Sequence, residues 1–421
     1  MISSKQWDQT IINLRDKTMG IEDYYSDVPN SSTFYNLSTS YTEIAMNFTE
    51  LPPDRINQNP EVLNITNEVP IKYAIPLFGY AMPFLLVVTV TVNSLIVVVL
   101  SKRHMRTPTN VVLMAMALCD MFTLLVPSPW LIYMYTFGNH YKPLWPISLC
   151  YSWNIMYNIF PNILHTASMW LTLALAVQRY IYVCHAPLAR KFCTLPNVYK
   201  CLGYIMFFAT MHNILRFFDH EYVAFKMVWE NQTVNVCLKR TPDWVKNTAT
   251  FYHMSYFVFR IVFVYIIPCT VLIILNLLLF KALRQAESRR DKLFKQSITS
   301  FKNEPRRQLD SNLTTLMLIV VVSVFLFVEI PLVILTLLHV ISSTIVEFLD
   351  YSIVDNLMLF SNFCISVSYP INFGIYCGMS RQFRQTFKEL FIAELSDPRN
   401  GSSRYSIVNG PTKNTNDETA L

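Results

Sequence analysis

Long apolar stretches separated by charged connections dominate the pattern of this chain. Nearly uncharged runs long enough to cross a bilayer, about 20 residues each, lie at Ala74–Leu100, Val111–Met134, Cys150–Val183, Val198–Phe218, Phe257–Leu283, Leu313–Val340 and Val354–Cys377. Each predicts a membrane helix, so the expected fold is an all-α integral membrane bundle of seven helices. The fourth run is the least apolar, with His212 and Arg216 inside it. It is kept because omitting it would put Cys150 and Cys237 on opposite sides of the membrane. After the seventh run, RQFRQTFKELF spaces Phe383, Phe387 and Leu390 along one helical face, the pattern of a short amphipathic helix on the inner membrane surface. The predicted organisation is an outer tail over 1–73, the bundle over 74–377, the amphipathic helix over 378–393 and an inner tail over 394–421.

Composition agrees, since 52% hydrophobic and 15% charged residues in 421 are too apolar for a water-soluble protein of this size. Basic residues retained at the cytoplasmic face set the orientation. Lys102, Arg103 and Arg106 follow span one, Arg190, Lys191 and Lys200 follow span three, and Lys281, Arg284, Arg289 and Arg290 begin a basic run after span five. The tail before span one is acidic on balance, which predicts an outer N-terminus, and it is rich in Ser, Thr and Asn, which predicts little structure of its own. The net charge of +6 is thus a signature of membrane topology, and no nucleic-acid partner is expected. N-x-[ST] acceptors for glycosylation at Asn30, Asn36, Asn47, Asn64 and Asn231 all fall on the predicted outside. Residues 1–20 lack the apolar core of a cleavable signal, so span one is expected to direct insertion itself.

Of nine cysteines, only Cys150 and Cys237 fall in the oxidising compartment, and they are expected to form a disulfide. Cys377, just inside the membrane after span seven, is a candidate for palmitoylation.

An arginine, Arg179, closes the third apolar run between Gln178 and Tyr180, where a charge is costly and calls for a reason. With it come Asn93 in VNSLIVV, Asp120 in MALCDM, Pro268 and Pro331 in spans five and six, and NFGIY from Asn372 to Tyr376. In order and spacing these resemble the motifs of the rhodopsin-like G-protein-coupled receptors over roughly Ala74 to Phe391. The resemblance implies that Arg179, with Gln178, Tyr180, Asn372 and Tyr376, forms the switch that engages a heterotrimeric G protein when span six moves outward. It also implies a sodium pocket lined by Asp120, Ser168, Ser368 and Asn372; a protonated Asp120 bonded to Asn372 is the alternative. No other cofactor is expected.

Several positions depart from the family pattern. Gln178 replaces the usual acid before the arginine, and Ser311, beside Asp310, stands where many relatives carry an acid at the inner end of span six. The restraint on Arg179 should therefore be weak and ligand-free activity measurable. Glu329, in FLFVEIP, occupies the usual tryptophan position at mid-membrane depth, so it is protonated, paired with a group such as His165 or Asn362, or aimed at ligand. Phe373 replaces the proline of the span-seven motif, with Pro370 nearby.

Segments such as TFGNHYKPLWPIS and SYPINFGIYCGMSRQF are similar to insect members of the family that bind amidated neuropeptides. What this implies is an extracellular amidated peptide of the myoinhibitory class, bearing two tryptophans, with a seminal peptide as a further ligand in some insects. It also implies signalling through inhibitory Gi/o proteins to lower cAMP. Related receptors for FMRFamide or myosuppressin peptides are the alternative, and a transporter the weaker one, since no internal repeat is seen. No catalytic motif is present, so no enzyme is expected. Indole rings need apolar clefts with an acceptor for each N–H, and a terminal amide needs a donor and an acceptor. The candidate contacts are Glu329, Arg260, His165, Asn362, Tyr133, Tyr157 and His339, with Trp145, Trp153, Phe259 and Met358 as further apolar groups. Inside, QAESRRDKLFKQ is expected to extend span five and to meet G protein or anionic lipid. Ser402, Ser403, Ser406 and Thr415 are candidate phosphosites for arrestin, and the terminal TAL fits a PDZ-domain ligand.

Overall fold

The computed structural model describes residues 61–63, 70–230, 232–296, 305–344 and 350–391. Helices α1 (Ile71–Leu100), α2 (Pro108–Thr136), α3 (Ile147–Cys184), α5 (Met254–Arg289), the membrane part of α6 (Thr315–Ser342) and α7 (Ser352–Met379) are long and apolar enough to cross a membrane. Helix α4 (Leu195–Asn213) takes the place of the fourth span. It is shorter and more polar than the rest because Asn197, Lys200, His212 and Asn213 interrupt it, yet it packs against α3 and α2. All seven expected runs are thus helical, with ends that differ from the expected ones by a few residues. Helix α5 continues to Gln296, as the basic run predicted, α6 as a whole spans Pro305–Thr344, and α8 (Arg381–Phe391) follows the bundle.

Local chemistry explains the helix ends and bends. The Thr107 side chain accepts from the Asn110 N–H at the start of α2, where Pro108 supplies a preset φ, and Asp350 caps α7 by accepting from the Ser352 N–H at 2.9 Å. Wide, π-helical turns occur at Ile75–Ala81, Asn154–Ile159 and Arg260–Ile266. Each ends two residues before a proline, namely Pro83, Pro161 and Pro268. A proline ring clashes with the carbonyl one turn earlier and offers no N–H, so the preceding turn widens. A fourth such turn lies at Ile132–Thr136 in α2. All four are in the outer halves of their helices, where they re-aim side chains.

At the outer end, as the charge distribution assigns it, strands β2 (Glu221–Trp229) and β3 (Gln232–Arg240) form an antiparallel hairpin from Glu221↔Arg240 to Trp229↔Gln232. A two-residue connection turns it, with Glu230 at φ 48°. Strand β1 (Glu61–Val62) adds to the other edge of β3, and the Leu63 N–H donates to the Cys237 carbonyl at 3.1 Å. Of the tail, expected to have little structure of its own, residues 61–63 and 70–73 are described. The alternating hairpin strand offers unpaired backbone groups, and Leu63 buries its side chain beneath them. The disulfide between Cys150 and Cys237, with Cα atoms 6.6 Å apart, fastens β3 to the top of α3 as expected.

Two clusters make up most of the core. An outer one centres on Phe78, Trp130, Tyr135, Trp153 and the disulfide. An inner one joins α1, α2, α3 and α6 to α8 through Met105, Tyr376 and Phe383. His104 lies 3.0 Å from the buried Thr386 hydroxyl, which fixes α8 against the loop after α1. The acceptors Asn30, Asn36, Asn47, Asn64 and Asn231, and the tail sites Ser402, Ser403, Ser406 and Thr415, lie outside the described residues.

Candidate functional site

Beneath the hairpin an open cavity is lined by α1, α2, α3, α5, α6 and α7. Its walls are mostly apolar, with Phe78, Tyr157, Leu332 and Met358 among them. Its polar groups are concentrated on α3, α5 and α7, as Asn162, His165, Arg260, Tyr265 and Asn362. Arg260 is 7% exposed, and its wide turn aims it inward. The guanidinium donates to Asn162 Oδ1 at 2.9 Å, to the Tyr256 hydroxyl at 3.1 Å and, from Nε and Nη2, to the Tyr265 hydroxyl at 3.4 and 3.1 Å. All these partners are neutral. Among the described residues no carboxylate lies within ion-pair distance of it, so the cavity wall carries an uncompensated positive charge.

His165 lines the floor, and its Nε2 lies 3.6 Å from Oε2 of Glu329, which is fully buried behind it on α6. That distance is too long for a hydrogen bond, and neither Glu329 oxygen has another partner. Of the two groups named from the sequence, His165 is thus the neighbour at 3.6 Å, and Asn362 makes no hydrogen bond to Glu329. At the bundle's centre Ser168 donates to Asp120 Oδ1 at 3.1 Å and Asn372 donates to Oδ2 at 3.4 Å. Ser368 instead donates to its own helix, to the Ile365 carbonyl at 2.7 Å.

At the inner end Arg179 lies over the Tyr182 ring, 5.8 Å from its centroid, and no acid among the described residues pairs with it. Gln178 is buried with its Oε1 unpaired, so it does not hold the arginine. Tyr180 packs toward Leu279, Leu283 and Ile319 of α5 and α6, and Tyr376 packs against Phe383 of α8. The side chains of Asp310 and Ser311 lie outside the described ones. Cys377 sits half-buried at the end of α7.

The sequence model described as serpentine type 7TM GPCR chemoreceptor Srw matches residues 80–394. The chain belongs to the seven-transmembrane G-protein-coupled receptor family. Over 368 residues the receptor is 52% identical to the sex peptide receptor of Drosophila melanogaster, covering 87% of this chain and 84% of that protein. It is 34% identical to the sex peptide receptor-related protein 2 of Caenorhabditis elegans over 76% of this chain and 74% of that one. It is 26% identical to the FMRFamide receptor of Drosophila melanogaster over 71% of this chain and 51% of that protein. The receptor is therefore a multi-pass plasma-membrane protein that works with a G protein and is not an enzyme.

Of the contacts expected from sequence, Tyr157, His165, Arg260, Asn362 and Met358 converge on the cavity of the receptor. Trp153 is buried and stacks on Tyr157 with centroids 4.3 Å apart, supporting the wall from behind. Tyr133 does not reach the cavity. It lies in the wide turn at Ile132–Thr136, two residues past the inward Leu131, and is 44% exposed. Trp145 and Phe259 also lie outward, and His339 is buried near the outer end of α6 without lining the cavity. Asn162, Tyr256 and Tyr265 were not singled out from sequence. Their signal was helical spacing: Tyr256 is one turn before Arg260 in α5, where it could reach the guanidinium. Outside the membrane, Asp219 lies 3.7 Å from Arg216; burial pushes its carboxyl up to about 6, partly offset by Arg216 and Lys239.

Proposed function

We propose that this receptor binds amidated peptides of the myoinhibitory class in the cavity beneath the hairpin and signals through Gi/o proteins to lower cAMP. The observation that carries this reading is the uncompensated Arg260 guanidinium in a largely apolar cavity. A buried charge in a membrane is retained where it faces a ligand or a water-filled cavity. The partner it asks for is an oxygen acceptor, which a terminal carboxamide supplies, while the aromatic walls at Phe78 and Tyr157 suit indole rings. The similarity to the Drosophila sex peptide receptor supports the same reading and adds sex peptide as a second ligand to be tried. Arg179, with no acidic partner among the described residues, is assigned the contact with the G protein. In the same reading the N-terminus is outside, arrestin reads the phosphorylated inner tail, a PDZ domain reads the terminal TAL and Cys377 carries a palmitoyl chain. Asp120 with the hydroxyls of Ser168 and Ser368 is a set of hard oxygen donors suited to sodium, provided Ser368 turns from Ile365.

The test is a cAMP assay in cells expressing the chain. A two-tryptophan amidated peptide should lower cAMP in a pertussis-toxin-sensitive way, and its tryptophan-to-alanine analogues should not. An FMRFamide peptide acting in its place would favour the reading suggested by the FMRFamide receptor. No response to any peptide, with the receptor present at the surface, would refute the proposed ligand class.

A further inference from the structure

An arginine side chain has five N–H donors arranged as two forks, one formed by Nε with one Nη and the other by the two Nη groups. Carboxylates bind such forks through two parallel hydrogen bonds, which is the strong arrangement for that pair. Both forks of Arg260 are already engaged. The Tyr265 hydroxyl sits in the side fork, taking Nε at 3.4 Å and Nη2 at 3.1 Å. In the end fork, Nη2 is committed to Asn162 Oδ1 at 2.9 Å. The Tyr256 hydroxyl takes one Nη1 N–H at 3.1 Å. Among the described residues, one Nη1 N–H is left over. The group is held in place, since Tyr265 is 3% exposed and Asn162 2%, and Asn162 is itself anchored by donating to the Asn158 carbonyl one turn earlier in α3.

We propose that Tyr265 sets which terminal group the cavity accepts: by occupying the side fork of Arg260 it leaves one N–H for the ligand, which suits the single carbonyl oxygen of a carboxamide and denies a carboxylate its two-point contact. This assignment rests on the proposed amidated-peptide ligand. Arg260 is then the group that attracts the ligand's oxygen, and Tyr265, with Asn162, is the group that determines specificity.

The experiment compares the amidated two-tryptophan peptide with its free acid on the wild type, on Tyr265→Phe and on Asn162→Ala. Competition binding and cAMP response are both read, and the quantity of interest is the ratio of the two potencies, which altered expression does not move. Wild type should prefer the amide by on the order of 100-fold, since a polar site rejects a ligand that mismatches its donors. Tyr265→Phe keeps the ring and releases the side fork, so the ratio should narrow at least tenfold in favour of the acid. Asn162→Ala releases one N–H of the end fork and should narrow it severalfold; it serves as the second reading if Tyr265→Phe loses binding. A wild type that prefers the amide with a ratio moved by neither variant would overturn the assignment alone. A wild type that binds neither peptide would overturn the ligand class and the assignment with it.

Discussion

Replacing Glu329 by leucine should make the receptor more stable and less responsive. The side chain is 0% exposed, neither oxygen has a hydrogen bond, and its nearest polar partner, His165 Nε2, is 3.6 Å away. An unsatisfied buried polar group costs about 1–3 kcal/mol, and exchanging buried ionic groups for apolar ones of similar size can stabilise by about 1–4 kcal/mol. Glu329→Leu should therefore raise the stability of the detergent-solubilised, ligand-free receptor by about 1–3 kcal/mol. His165→Leu should do the reverse, because it leaves the carboxyl with no partner at all, and the double variant should resemble Glu329→Leu alone. Thermal denaturation of the four proteins reads these differences, and the cAMP response in cells reads function, with Glu329→Leu expected to lose at least tenfold in agonist potency. A loss of about 1 kcal/mol or more in Glu329→Leu would refute the reasoning, since it would mean that the glutamate makes a structural bond worth more than its desolvation.

Three other outcomes are expected. Cys237→Ser should detach β3 from α3 and lower surface expression and ligand affinity together; closing a loop with an 87-residue separation corresponds to about 4–5 kcal/mol in the chain-entropy treatment, and normal expression with normal affinity would contradict it. Wild type should show ligand-free suppression of cAMP that Arg179→Ala abolishes, because no acid among the described residues restrains that arginine; a silent wild type at high expression would contradict the first half. Asp219 is pushed up to about 6 from 3.8, so the folded protein binds its proton before the unfolded chain does. Its contribution to stability should grow as pH falls from 7 through 6. Asp219→Asn should remove that part of the pH dependence, and identical profiles for the two proteins in thermal denaturation would count against it.

The bundle was legible because bilayer thickness imposes a length and polarity rule that single runs of sequence either meet or fail. Even the polar fourth run was recovered, through the requirement that Cys150 and Cys237 meet. The hairpin was not legible. Alternation in EYVAFKMVW is short, and its pairing with Gln232–Arg240 is decided by the disulfide and by β1, which lies about 160 residues earlier. Within the cavity, Arg260 and His165 stood out as charges in apolar helices, whereas Tyr265 and Asn162 looked like ordinary helix residues. Their role comes from the wide turn before Pro268, which swings Arg260 toward α3, and such a bend has no residue signature beyond the proline itself. Tyr133 shows the complementary case: an aromatic of suitable type that is 44% exposed and does not line the cavity.

The central claim is that Arg260, in the cavity beneath the hairpin, meets the peptide. The most direct measurement is saturation binding of a labelled amidated two-tryptophan peptide to membranes carrying the wild type or Arg260→Gln at matched surface expression. Saturable binding to the wild type that weakens at least tenfold in Arg260→Gln is the predicted result, a loss of about 1.4 kcal/mol or more. Equal binding to both would contradict the claim.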